Sequence, residues 1–210
     1  MTWIAANLDL IGELTWQHVL VAWPAIVASL LIAVPLGRVA HSSLAARGLL
    51  LTGSGALYAL PSLPLFVILP AVLGTRILDP VNVVVALTLY GVALLVRTSA
   101  EAFDAVERDV RTSALALGHS RWQLFALVEL PLAGPAIVAG LRVVSASTLS
   151  LVSVGSLIGV RSLGSLFTEG YARGFLTEIV VGIIGTIVLA VAFDLVILLA
   201  ARLLMPWRRA

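Results

Sequence analysis

The side chains that usually carry chemistry are sparse in this chain. Its three histidines, His18, His41 and His119, are far apart, and no His-Glu-x-x-His spacing is present to hold a metal. There is no cysteine, which removes disulfides, thiolate metal sites and thiol nucleophiles. There is also no lysine, so a phosphate-binding loop ending in Gly-Lys-Ser/Thr is impossible, and any ATP hydrolysis linked to this chain belongs to another subunit. Gly53, Ser54 and Gly55 lack a histidine partner and read as helix packing rather than a nucleophile elbow. Two opposite charges remain. Arg142 and Asp194 each sit inside a long apolar run, where a charge is costly unless it is paired or hydrated.

The elements that position them follow from composition. The 210 residues are 60% hydrophobic and 11% charged, with a mean hydropathy of +1.11, far too apolar for a soluble domain. The formal net charge is +2 and the arginines are scattered, so no basic stripe for nucleic acid is present. Five stretches are apolar enough to cross a bilayer as helices: His18 to Leu36, Leu49 to Leu73, Val81 to Val96, Pro135 to Ile158 and Ile179 to Leu203. The expected fold is an all-α membrane protein. Residues 1–17 hold Asp9 and Glu13 and no basic residue, unlike a signal peptide, and Trp3 to Leu14 reads as a short interfacial helix. Arginine placement orients the bundle with the N-terminus outside and the C-terminus inside, because Arg38, Arg47, Arg97, Arg108, Arg111, Arg121, Arg202, Arg208 and Arg209 then lie in cytoplasmic segments. Residues 18–203 form the membrane domain, 97–131 a cytoplasmic loop and 204–210 a cytoplasmic tail.

At about 1.5 Å per residue, Arg142 lies about 13 Å in from Ala133 and Asp194 about 12 Å before Arg202, so the two share a depth. They are expected to pair or to face each other across a hydrated cavity; alternatively Arg142 snorkels alone and Asp194 finds a serine. Arg142, Ser145, Ser153 and Ser156 share a stripe on the fourth span, and Gly182, Thr186, Ala190 and Asp194 one on the fifth. Such residues permit close helix packing, and together they also offer a polar face for a translocation path. Pro61, Pro64 and Pro70 are expected to kink the second span. The loop from Arg97 to Leu130 is long and charged, with Asp109 a candidate N-cap and Gly118 a candidate stop for a short amphipathic helix. On spacing alone it reads equally as a solvated connector.

Thr112 to Ile137, TSALALGHSRWQLFALVELPLAGPAI, resembles the EAA loop of ABC importer permeases. The match lies at Ala114, Gly118, Leu130 and Pro131; Thr112 and Ser113 stand where that family has Glu and Ala, and Glu107 and Asp109 are the carboxylates nearby. The segments ALPSLPLFVILP, VRTSAEAFDAV, VELPLAGPAIVAGLR and VGSLIG are similar to the osmoprotectant branch, which imports glycine betaine, carnitine, choline and related quaternary amines. At Val160 to Leu163 a glycine run usual in that branch is replaced.

The resemblance implies a type I importer core. A coupling helix carrying Thr112, Ser113, Ala114, Gly118 and Trp122 would sit in a groove of the ATPase. Pro131 and Pro135 would form a stiff corner before the fourth span. The implied partners are a second permease subunit, two ATPase subunits holding ATP and magnesium, and an external substrate-binding protein, in a cell membrane; the chain itself is expected to bind no cofactor. Amino-acid and methionine permeases share these features. A secondary transporter using Asp194 as an ion site is the competitor from another class.

Overall fold

The computed structural model describes residues 2–209, which among themselves contain helices and turns and no strand. Met1 and Ala210, the ends of the expected terminal segments, lie outside the described residues, as do the side chains of Arg208 and Arg209. In chain order the helices are α1 (Thr2–Ala6), α2 (Leu8–Ser42), α3 (Leu44–Tyr58), α4 (Ser62–Leu73), α5 (Pro80–Asp104), α6 (Arg108–Ala116) and α7 (Arg121–Gln123). A π turn, Leu124–Glu129, leads into α8 (Leu130–Gly155) and a 3-10 turn, Ser156–Ile158; α9 (Ser165–Arg173), α10 (Leu176–Leu204) and a last 3-10 turn, Pro206–Arg209, follow. Four helices are long and apolar enough to cross a membrane: α2, α5, Arg121–Ile158 and α10. The α3 and α4 pair makes a fifth if its two arms count as one span.

Small residues let α2, α5 and α8 approach closely. Gly91 of α5 faces Ser29 of α2 and Val144 of α8 so tightly that an added Cβ would lie 2.1 Å from the Ser29 hydroxyl. Gly37 of α2 meets Ser99 of α5 in the same way, at 2.4 Å. The Ser29 hydroxyl donates to Ala25 O at 2.7 Å and to Thr88 O across the interface at 3.2 Å, which satisfies a polar group that lipid cannot. Three turns earlier on α2, His18 is fully buried and its Nε2 lies 3.0 Å from Leu149 O on α8. By contrast, α10 buries few residues and α3 buries none.

Two expectations are corrected here. The N-terminal helix over Trp3 to Leu14 is not separate: the chain breaks at Asn7, and Leu8 onward is the first part of α2, with Leu14 buried. The second span is broken rather than kinked, because α3 and α4 meet at 107°. Pro61 holds an extended conformation (φ −66°, ψ 136°) ahead of α4, and a residue preceding proline is steered away from helix. The Leu60 carbonyl freed by the break accepts from Tyr90 Oη at 2.6 Å. Pro64 lies in the first turn of α4, where a backbone N–H has no helical partner in any case, so it bends nothing.

Candidate functional site

The segment from Glu107 to Pro131 forms a helix, a tight reversal and a second helix. Glu107 takes the N-cap position of α6, and Asp109, expected as the cap, sits in the first turn, where its charge favours the helix dipole. Gly118 stops the helix as its type suggests. At φ +87° it lets its own N–H reach Leu115 O at 3.0 Å and the His119 N–H reach Ala114 O at 3.2 Å, satisfying carbonyls the helix end leaves open. Ser120 then starts α7 with a reciprocal cap: its hydroxyl accepts from the Gln123 N–H at 3.3 Å and its N–H donates to Gln123 Oε1 at 2.8 Å. Thr112 and Ser113 are exposed, and the Thr112 hydroxyl donates back to Arg108 O at 3.0 Å. Ala114 is buried beneath them. Leu117 (80% exposed) and Trp122 (72%) project from the reversal as an apolar tip.

The carboxylate that holds this tip is neither Glu107 nor Asp109. Glu129, 1% exposed at the end of the π turn, faces Arg38 Nε of α2 at 2.8 Å and Arg111 Nε of α6 at 3.1 Å, one arginine to each oxygen. The nitrogens are off the hydrogen-bonding direction, so these are ion pairs. Arg111 also donates to Phe103 O at the end of α5. Beside it, Asp104 accepts from Arg47 Nη1 at 2.6 Å and is bonded to His41 Nδ1 at 2.5 Å. Phe103, Phe125 and Trp122 pack in sequence as tilted rings, with centroids 5.9 Å and 5.5 Å apart, from α5 to the tip.

The corner expected at Pro131 is absent. Arg121–Ile158 is continuous, and Leu130 and Pro131 follow directly on the π turn, in which the Leu130 N–H reaches back to Phe125 O. Proline lacks an N–H and its ring crowds the carbonyl four residues earlier; the wider π turn makes that room without ending the helix.

Farther along α8, Arg142 and Asp194 of α10 form a two-pronged pair, Nε to Oδ1 at 2.5 Å and Nη2 to Oδ2 at 2.8 Å. Both are partly exposed on the surface of the chain. The stripe expected on the fourth span divides: Ser145 is 2% exposed, turned into the core, while Arg142 faces outward. Ser153 and Ser156 line a separate cavity of about 420 Å³ with Ser150, Phe167, Thr168 and Thr186, which Arg142 and Asp194 do not reach. Among the described residues no group of acidic or histidine side chains could hold a metal.

Residues 25–210 match the family described as binding-protein-dependent transport system inner membrane component. The chain belongs to that family. It is an ABC importer permease, a transport subunit rather than a catalytic one. Among its relatives, the carnitine transport permease protein OpuCD of Listeria monocytogenes is 26% identical, over 95% of this chain and 89% of the relative. The choline transport system permease protein OpuBB of Bacillus subtilis is 29% identical over 93% and 90%. The osmoprotectant import permease protein OsmW of Salmonella typhimurium is 30% identical over 90% and 88%. In fold it is similar to an inward-facing MetNI methionine ABC transporter, with a TM-score of 0.74 at 17% identity over 96% of this chain and 97% of that one.

For this permease, the residue that the sequence reading passed over is Glu129. A lone acid in the run LFALVELPL is a signal in itself, since burying it requires a cation. Its partners, at positions 38 and 111, are too distant in sequence to be assigned without the fold.

Proposed function

We propose that this permease imports small quaternary-amine osmoprotectants such as glycine betaine, carnitine and choline. The observation that carries the substrate class is the set of relatives above, 26 to 30% identical over nine-tenths of the chain, whose names specify carnitine, choline and osmoprotectants. The subunit works beside a second permease subunit in the cell membrane, N-terminus out and C-terminus in, with two ATPase subunits on the cytoplasmic side and a substrate-binding protein outside. Arginine placement supports that orientation. The α3 helix, which buries nothing within the chain, supports a partner subunit.

The apolar tip at Leu117 and Trp122, with Thr112, Ser113, Ala114 and Gly118 behind it, suits a groove on the ATPase. ATP and magnesium stay in that partner. Closure of the two ATPases draws the α6–α7 tips together and opens the path outward; hydrolysis returns it inward. Arg142 and Asp194 set a polar waist, and the cavity lined by Ser153 and Ser156 forms a second, separate widening along the way.

The test is uptake at high salt in a strain lacking this chain. Loss of labelled glycine betaine, carnitine or choline uptake, restored by re-expression, supports the assignment. Unchanged quaternary-amine uptake with lost methionine or other amino-acid uptake gives the site to that class instead. Transport by the purified chain under an ion gradient alone contradicts the mechanism.

A further inference from the structure

The geometry points to Glu129 as the positioning residue that carries movement of α6 into the membrane helices. This rests on the coupling reading above and adds to it the atoms through which force passes.

α6 packs chiefly on the π turn, and the turn continues directly into α8. A π turn has poorer hydrogen bonding than the α-helix around it and is the natural place for the long helix to yield. If the turn yields, movement at the tip is absorbed there. Glu129 closes that route: one carboxylate oxygen holds Arg111 of α6, the other holds Arg38 of α2, and its backbone is the last residue before α8. Arg111 extends the tie to α5 through Phe103 O. One buried charge therefore joins α6 to three membrane helices.

Stability alone is a poor reason for such a group. A buried ion cluster often stabilises no better than apolar side chains of the same volume, and its best-attested use is to fix one arrangement among several. Here the fixed arrangement is the register of α6 on α8.

The chain contains no cysteine, so spin labels can be introduced at Val110→Cys on α6, away from the docking tip, and Val143→Cys on α8, both exposed. The sample is the complete complex of permease, ATPase and binding protein in lipid nanodiscs and proteoliposomes. In the parent protein the two labels belong to one body, so ATP should leave their separation unchanged. In Glu129→Gln, which keeps the shape and removes the charge, ATP should shift the separation while hydrolysis continues, and solute transported per ATP should fall about tenfold. Arg111→Gln leaves the carboxylate its Arg38 partner and must show the same split, which keeps the idea open to refutation if Glu129→Gln does not assemble.

The inference is overturned if the parent separation already shifts with ATP, or if both variants keep a fixed separation and the parental transport-to-hydrolysis ratio. A parent complex that hydrolyses ATP without any transport overturns the coupling reading itself.

Discussion

Replacing Gly91 by alanine tests the frame against which the α6–α7 tip acts. The new Cβ would lie 2.1 Å from Ser29 Oγ, 2.7 Å from Ser29 Cβ and 3.0 Å from Val144 Cγ1. No rotamer of Ser29 relieves its own Cβ, so α2 must retreat from α5, and the retreat stretches the bond from Ser29 Oγ to Thr88 O, already 3.2 Å. Overpacking costs about 1–3 kcal/mol and the lost hydrogen bond about 1 kcal/mol. The sum, about 2–4 kcal/mol, lowers the unfolding midpoint by roughly 5–15 °C for a chain of this size. Thermal unfolding in detergent micelles, followed by tryptophan fluorescence, measures it. Adding Ser29→Gly removes both serine atoms and should relieve the overpacking, about 1–3 kcal/mol, less about 0.5–1 kcal/mol of helix propensity, while the hydrogen bond stays lost. Gly91→Ala within about 0.5 kcal/mol of the parent would refute the reasoning. So would a double variant no more stable than Gly91→Ala.

Three further outcomes are expected. Arg142→Gln and Asp194→Asn each leave one charge unpaired within the membrane and should cut uptake about tenfold; the Arg142→Asp, Asp194→Arg exchange should recover part of it, and an exchange no better than the singles counts against the pair. Trp122→Ala should weaken ATPase association by about 2 kcal/mol, close to thirtyfold, read by titrating ATPase onto permease in nanodiscs, while Leu127→Ala, an exposed change away from the tip, leaves it unaltered. Tyr90→Phe removes the donor to Leu60 O and should cost about 1 kcal/mol, seen as a drop of about 2–4 °C in the same micelles.

The spans were legible because apolar length is a property of composition, and Gly118 was legible as a stop because few other residues take a positive φ without strain. Helix ends were not. Glu13 and Asp104 read as aqueous, yet charge does not stop a helix; α2 runs on through Glu13, α5 extends as far as Asp104, and the two side chains find Arg161 and Arg47. Pro61 announced a disturbance, but not the 107° bend or that Tyr90, thirty positions after Leu60, donates to the Leu60 carbonyl it frees. Proline at 131 suggested a corner because the sequence carries no sign of a π turn. The serines of the fourth span shared a helical face with Arg142, but the sequence could not say that Ser145 turns into the core while Arg142 stays exposed.

The most direct measurement is uptake of labelled glycine betaine into proteoliposomes holding this permease with its ATPase and binding protein, with ATP supplied on the ATPase side. Uptake that needs all three components and ATP, and is unaffected by collapsing ion gradients, is the predicted result. Uptake that persists without the ATPase, or that follows an ion gradient in the absence of ATP, would contradict it.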